Sequence, residues 1–289
     1  MDAQNPSSTV TFANRTPLRI GAVGLKARDL SRLTDFYSDA IGLHVIDRDS
    51  KTARLGAGGV TLLELEHAPI AKPDDSRTAG LFHTAFLQPT RADLARWLVH
   101  AANTRVPLSG ASDHLVSEAI YLDDPEGNGI EVYRDRMPEE WRWSGDRIQM
   151  ATDRLDLENL AADAGNTAYE GAPEGLRIGH IHLRVGNLAP TQQFYGTIGL
   201  DPTSGRGGAL FMSSGRYHHH VGTNVWQSAG AGMRDDDRAG LSWFAIEAAD
   251  AAEREKAVSR LKTAGIALSD SARGPEARDP FGTRVRFAH

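Results

Sequence analysis

An internal repeat constrains the fold of this chain more than any other feature of the sequence. The segment Leu18–Leu30 matches Leu176–Leu188 at an offset of 158 residues, and Phe36–Leu43 matches Phe194–Leu200 with one residue deleted. A fixed offset of this kind is typical of repeated structural units. The sequence therefore predicts a tandem duplication of a unit of about 120 residues.

Each copy divides again into two similar halves. Apolar runs such as Ile20–Leu25 predict strands, and Asp29 and Asn187 stand where helix N-caps belong. Gly42 and Gly199 are placed to end the helices that follow. This pattern predicts an α+β fold of four βαβββ modules, which pair through their sheets into two cup-shaped half-barrels. The predicted modules span residues 18–67, 80–135, 176–226 and 240–289.

The same pattern predicts the domain organisation. A flexible N-terminus of residues 1–17 precedes a first domain of residues 18–137, and a second domain of residues 176–289 follows a linker of residues 138–175. The linker carries one short helical stretch near Leu155–Ala164. The polar N-terminus does not have the pattern of a signal peptide, and no apolar run approaches the roughly 18 residues that span a bilayer. We therefore expect a soluble cytoplasmic protein.

Composition restricts the chemistry that a site could use. The chain has no cysteine, which excludes disulfides, thiolate metal sites and cysteine nucleophiles. Its net charge of −6, without a cluster of Lys and Arg, argues against nucleic acid or an anionic membrane as the main partner. The 11 histidines and 38 carboxylates remain as candidate metal ligands and acid–base groups.

Three of these residues fit a metal site. His83 and His180 occupy matching positions in the opening strands of the second and third modules, and Glu131 interrupts an apolar strand. Buried carboxylates are usually paired or bound to a metal. Two imidazoles and one carboxylate form a facial triad that leaves coordination positions open on Fe(II). His182, two residues after His180, lies on the same strand face and competes for the ligand role.

A run of three histidines, His218–His220, lies between Tyr217 and Val221. We predict that it belongs to the last strand of the third module, with His218 and His220 on one face and His219 on the other. Consecutive histidines between apolar residues favour an active-site role over an exposed edge strand.

The second module ends in a pattern that resembles type I extradiol (catechol 2,3-) dioxygenases of the vicinal oxygen chelate superfamily. Their signature reads here from His114 through Ile120-Tyr121 and the turn Asp124–Gly127 to Glu131, and only Ser112 departs from it. The module-level resemblance covers nearly the whole chain outside residues 1–17 and the linker.

The resemblance implies roles for these residues and for their ligands. His83, Glu131 and His180 would be iron ligands, and His114 and Tyr121 would hydrogen-bond the catecholate and the reacting oxygen. One of the catalytic candidates His218, His219 and His220 would be the acid–base histidine. The implied cofactor is Fe(II), with Mn(II) or another divalent metal as the alternative, and the implied substrates are an aromatic diol and O2.

The distribution of ligands predicts an unusual pairing of modules. The first module has Ala22 where the third has His180, and the fourth has Ser242-Trp243 where a ligand histidine would fall and Arg286 in place of Glu131. We therefore expect modules 2 and 3 to pair around the metal, and modules 1 and 4 to form a metal-free cup. The rival is a site between modules 1 and 2, with Glu64, His83 and Glu131 as its ligands.

Other activities of the same superfamily remain alternatives. They are a glyoxalase-like metal-dependent isomerase or lyase, a thiol transferase acting on fosfomycin, and a metal-free protein that sequesters a drug-like molecule, because a fold does not choose among functions. Open sheet edges make a homodimer plausible.

Overall fold

The computed structural model describes residues 11–289, and its secondary structure repeats one pattern four times. The first module comprises β1 (Leu18–Ala27), α1 (Leu30–Asp39), β2 (His44–Arg48), β3 (Thr52–Ala57) and β4 (Val60–His67). The second comprises β5 (Gly80–Leu87), α2 (Arg91–Asn103), β6 (Gly110–Asp113), β7 (Ser117–Asp123) and β8 (Gly129–Asp135).

The segment between the two copies contains β9 (Trp143–Ser144), β10 (Arg147–Ile148), β11 (Asp153–Arg154) and α3 (Leu157–Ala162). The third module comprises β12 (Arg177–Arg184), α4 (Leu188–Ile198), β13 (Asp201–Arg206), β14 (Ala209–Ser213) and β15 (Val221–Asn224). The fourth comprises β16 (Gly240–Ala248), α5 (Ala251–Thr263), β17 (Leu268–Ser271), β18 (Gly274–Arg278) and β19 (Arg284–Ala288). The predicted α+β fold of four βαβββ modules is therefore confirmed.

Local sequence signals set the helix ends. The side chain of Asp29 accepts a hydrogen bond from the backbone N–H of Arg32, and that of Asn187 accepts one from Ala189. Both residues are the N-caps that the sequence predicts. Gly199 ends α4 with a φ of 118°, a left-handed conformation that favours glycine. Within residues 11–289, no helix is both long and apolar enough to cross a membrane.

The first module pairs with the fourth, and the second module pairs with the third. One sheet has the order β17-β18-β19-β16-β1-β4-β3-β2 and joins the fourth module to the first. The other has the order β11-β6-β7-β8-β5-β12-β15-β14-β13 and joins the second module to the third. The central contacts of the two sheets are the antiparallel pairs β1–β16 and β5–β12. The predicted pairing of modules is confirmed, and the sheets cross the predicted domain boundary; the boundaries themselves stay a prediction.

One large hydrophobic cluster connects both sheets with the helices. It includes Leu33 of α1, Trp97 of α2, Phe194 of α4, Leu261 of α5 and strand residues of both sheets. At about 25 cal/mol for each Å² of apolar surface removed from water, this shared core is the main force that holds the two cups together.

The segment predicted as a linker is partly built into the second sheet. Its strand β11 pairs with β6, and its helix α3, where a short helix is predicted, buries Leu160 completely. Residues 150–152 of this segment line a large cavity in the same sheet. The segment therefore completes one cup in addition to connecting the two copies.

The prediction of a flexible N-terminus is wrong for its last residues. Residues 1–10 lie outside the described residues, but Phe12–Arg15 form a 3-10 helix. Ala13 is buried, and the Phe12 ring packs edge-on against Trp141 with 5.5 Å between centroids. The Thr16 hydroxyl lies 3.2 Å from His220 Nε2. A polar composition conceals these few apolar contacts, and they order the segment.

Candidate metal centre

Three neighbouring strands converge on one small residue. Ala85 of β5 is in register with Glu131 of the parallel strand β8 and with His180 of the antiparallel strand β12. His83 lies two residues before Ala85 and therefore points to the same face of the sheet. Because alanine has so short a side chain, the three larger side chains can meet above it.

The three side chains form a compact cluster. Glu131 Oε2 lies 3.0 Å from His83 Nε2 and 3.1 Å from His180 Nε2, and the two Nε2 atoms are 3.3 Å apart. All three residues are buried. Adjacent ligands of a divalent metal with bonds of about 2.1 Å are separated by about 3 Å, so this donor set fits such an ion. Among residues 11–289, this is the single group of at least three His, Cys, Asp or Glu ligand atoms close enough to hold a metal.

The electrostatics of the cluster also suit a cation. Burial raises the pKa of Glu131, but the adjacent imidazoles of His180 and His83 outweigh it and hold that pKa well below its ordinary value. Burial lowers the pKa of His180 to about 4. At neutral pH the cluster therefore contains a carboxylate and a neutral His180 imidazole, the protonation states that bind a metal.

The predicted pair of His114 and Tyr121 lies beside this cluster. The Tyr121 hydroxyl is 2.6 Å from His114 Nε2, and His114 Nδ1 is 2.7 Å from the carbonyl oxygen of Ala151. A carbonyl oxygen can only accept, so the His114 ring donates from Nδ1, and its Nε2 accepts a hydrogen bond from the Tyr121 hydroxyl. Burial, with the charge of Glu131, raises the pKa of Tyr121 well above its ordinary value. Tyr121 therefore stays protonated as a hydrogen-bond donor.

The three consecutive histidines do not form a strand. They lie in the loop between β14 and β15, because the ladder to β14 begins only at Val221. His219 faces the His83–Glu131–His180 cluster, with 4.1 Å between its ring centroid and that of His180. The strand prediction for this run is therefore wrong, although His219 alone of the three lines the cavity.

His218 and His220 are turned away from the cavity and fully buried. His218 Nε2 lies 2.8 Å from Asp135 Oδ1, and His220 Nδ1 lies 3.0 Å from the Ser213 hydroxyl. Neither residue lines the cavity, so His219 is the member of the run that is placed to contact a bound substrate. The reason is that the irregular loop gives each ring its own partner inside the protein.

The cluster opens into a cavity of about 610 Å³ between the strands of the second cup. His114, Tyr121 and His219 contribute to its lining, together with an aromatic group of Phe82, Phe211 and Trp226. His182, the competing ligand candidate, lines the cavity but lies outside the three-residue cluster. The Asn224 side-chain amide lies 3.0 Å from His182 Nε2, with which it can hydrogen-bond. The cavity therefore offers apolar surface for a ring and polar groups at one end.

In the cup formed by modules 1 and 4, large side chains fill the position that corresponds to the His83–Glu131–His180 cluster. Trp243 and Arg286 stand at the places of His83 and Glu131, and the Arg286 guanidinium lies 4.1 Å from the centre of the Trp243 ring. A Cβ on Gly24 would lie 2.1 Å from the Trp243 indole nitrogen, so glycine is required beneath it. Glu64 pairs with Arg273 at 2.9 Å in this sheet. The rival site that used Glu64 is therefore wrong.

Two residues that hydrogen-bond to histidines of the site were not predicted from the sequence. Asp135, which contacts His218, stands four residues after Glu131 on the same strand and hence on the same face. That spacing was the signal that could have identified it. Asn224 beside His182 had no comparable signal, because its partner is set by the pairing of β12 with β15.

Fold and site together define a class of protein in which two βαβββ modules share one curved sheet around a His–Glu–His cluster. A family model, the Glyoxalase/Bleomycin resistance protein/Dioxygenase superfamily, matches residues 19–132. The chain is 35% identical over 276 residues to a catechol-2,3-dioxygenase of Bacillus subtilis (strain 168), covering 93% of this chain and 96% of that protein. The chain therefore belongs to this superfamily.

Two further relatives extend the comparison. Biphenyl-2,3-diol 1,2-dioxygenase 3 of Rhodococcus globerulus is 28% identical over 136 residues, which cover 42% of this chain and 67% of that protein. The structure of glyoxalase I from Zea mays superposes with a TM-score of 0.54 at 14% identity, covering 96% of this chain and 94% of that one. The second likeness concerns the fold alone.

Proposed function

We propose that the protein is an Fe(II)-dependent extradiol dioxygenase that cleaves the ring of a catechol-type aromatic diol with O2. The observation that carries the proposal is the His83–Glu131–His180 cluster beside the hydrogen-bonded pair of Tyr121 and His114. Both open into one cavity with aromatic walls. The names of the two dioxygenase relatives support the same activity.

His83, Glu131 and His180 would hold the metal, as the spacing and protonation of the cluster favour. An Fe(II) ion bound there supplies open coordination positions at which the two diol oxygens and O2 can meet. Mn(II) suits the same donor set. Phe82, on β5 beside His83, contributes apolar surface that binds the substrate ring and keeps water away from the polar end of the cavity.

The polar residues of the cavity handle protons. The Tyr121 hydroxyl donates to His114 Nε2 at 2.6 Å, and it can turn the same proton to a substrate oxygen as negative charge develops there. His219 lies on the opposite side, against His180, and is placed to accept a proton from a substrate hydroxyl. Tyr121 and His219 thus lie on two sides of the His83–Glu131–His180 cluster. Such a pair fits a reaction that first removes protons from the substrate and later returns them.

Metal reconstitution tests this proposal. Protein stripped of metal is loaded anaerobically with Fe(II), Mn(II), Zn(II) or Ni(II) in separate samples, then mixed with a catechol and oxygenated buffer. We expect O2 consumption and a yellow ring-cleaved semialdehyde with Fe(II) or Mn(II). Uptake of O2 by none of a panel of unsubstituted, 3-substituted and 4-substituted catechols would overturn the proposal. Isomerisation of a hemithioacetal by the Zn(II) or Ni(II) form would favour the glyoxalase-like alternative.

A matched pair of variants ties the activity to the site. His83→Ala removes one buried ligand and should abolish O2 uptake. His67→Ala changes an exposed histidine of the metal-free cup and should leave O2 uptake unchanged. Full activity in His83→Ala would refute the assignment of the site.

A further inference from the structure

A row of three hydrogen-bonded side chains leads from the cavity into the protein. His219 Nδ1 lies 2.7 Å from His218 Nδ1, and His218 Nε2 lies 2.8 Å from Asp135 Oδ1. His218 is fully buried, and the side chain of Asp135 is 12% exposed. Only the first member of the row, His219, lines the cavity.

The carboxylate of Asp135 determines which atom donates and which accepts in every hydrogen bond of the row. An ionised carboxylate can only accept, so His218 donates its Nε2–H to Asp135. A His218 ring with its single proton on Nε2 has a bare Nδ1, and this atom accepts the Nδ1–H of His219 across 2.7 Å. Neutral His219 is left with a bare Nε2, and no other side chain or backbone group in residues 11–289 hydrogen-bonds to that atom.

Packing holds the three side chains in this arrangement. The Tyr217 ring lies 4.0 Å from the His218 ring between centroids, and Trp141 packs edge-on against the same imidazole at 5.4 Å. The Tyr217 hydroxyl donates to Asp135 Oδ1 at 3.1 Å, and so helps to fix the carboxylate. Rotation of the His218 ring would therefore break a charge-assisted hydrogen bond inside a filled space.

We propose that Asp135 and His218 are positioning residues that fix the tautomer of His219, so that its Nε2 accepts the proton of a substrate hydroxyl. In this step the O–H bond of the diol breaks, its electron pair stays on the substrate oxygen, and the proton binds the lone pair of His219 Nε2. The inference rests on the proposed function for the identity of the proton donor. The assignment of donors and acceptors in the row rests on the hydrogen bonds alone.

The variant Asp135→Asn tests the proposal, because asparagine keeps the shape of the side chain but can present an N–H to His218. Tyr217→Phe is the matched control, since it removes another hydrogen bond to the same oxygen without changing the row. Imidazole 15N NMR of the full-length Zn(II)-loaded protein reports the tautomer of His219, and steady-state O2 uptake of the Fe(II) form reports kcat and KM.

We expect His219 to carry its proton on Nδ1 in the wild type and in Tyr217→Phe, and to shift towards Nε2–H in Asp135→Asn. The kcat of Asp135→Asn should fall by about 10²-fold or more, with KM within about threefold, as for a base held in the wrong tautomer. His218→Phe, which keeps a ring but no nitrogen, should show the same loss of kcat.

A wild-type His219 protonated on Nε2, or an Asp135→Asn protein with unchanged tautomer and kcat, would overturn the assignment. If the wild type cleaves no catechol but its His219 tautomer still depends on Asp135, the proposed function fails and the hydrogen-bond assignment stands.

Discussion

Replacing Glu131 by glutamine should uncouple the stability of the protein from metal. The substitution keeps the size of the side chain but removes the one negative charge from a cluster whose ligand atoms are 3.0 to 3.3 Å apart. Loss of a residue that only orients a ligand costs about 10–100-fold in metal affinity. We therefore expect loss of this charged ligand to cost at least about 100-fold.

Mass action converts this loss into a measurable shift. At a free metal concentration about 100 times the wild-type Kd, binding adds about 2.7 kcal/mol to the free energy of unfolding. At the same concentration the variant, with a Kd about 100-fold higher, gains only about 0.4 kcal/mol. At about 2–4 °C per kcal/mol, the metal-induced rise in Tm should fall from about 5–10 °C to about 1 °C.

Differential scanning calorimetry with and without Mn(II) or Fe(II) under argon measures the rise in Tm. Glu66→Gln, the same change at an exposed position of the metal-free cup, serves as the control and should keep the wild-type rise. Without metal, Glu131→Gln should be less stable than the wild type at neutral pH, because a pKa below the ordinary value in the folded protein means that the ionised Glu131 stabilises the fold. A Glu131→Gln protein with the full metal-induced rise would refute the metal site.

Three other expectations follow from the structure. Tyr121→Phe should lower kcat by about 10–10²-fold with metal affinity within about twofold, checked by steady-state kinetics and metal titration; an unchanged kcat would contradict its role as donor. Trp243→Ala should cost about 3–5 kcal/mol in urea unfolding because it empties the filled cup, while kcat should hold; a large loss of kcat would contradict a purely structural cup. Burial lowers the pKa of His220 to about 3, so the unfolded chain binds a proton below about pH 6.5 that the folded protein rejects. His220 should therefore contribute a fall of up to about 1.4 kcal/mol per pH unit to the free energy of unfolding between about pH 6 and pH 4, and His220→Asn should reduce the total slope by that contribution in urea titrations.

The ligand cluster can be predicted from the sequence because the internal repeat shows which residues occupy equivalent positions, and equivalent strands pair with each other. Once His83 and His180 are aligned as equivalent positions of two modules, a pseudo-symmetric pairing of β5 with β12 brings them together. Glu131 follows from its place in the parallel strand next to β5. The absence of ligands at Ala22 and Arg286 then leaves modules 2 and 3 as the pair that can hold the metal.

The features that the sequence does not predict depend on individual contacts that follow no repeating pattern in the chain. The loop that carries His218–His220 takes its path from individual partners such as Asp135 and Ser213, and a period of two residues does not apply to it. Phe12 is ordered by Trp141, which is more than 120 residues away in the chain. Contacts of this kind are decided by packing in three dimensions, after the repeated elements have met.

The nested pairing of modules has a consequence for biosynthesis. A ribosome releases His83 and Glu131 before His180, so the first half of the chain emerges with two of the three candidate ligands and an incomplete form of the proposed metal site. The sheet of modules 1 and 4 cannot close until β16 has been translated, since its central strands β1 and β16 are separated by more than 200 residues. The nascent chain therefore cannot capture a metal ion in its final geometry until the third module has been translated. A protein cut between the two copies should regain its metal site only when both fragments associate.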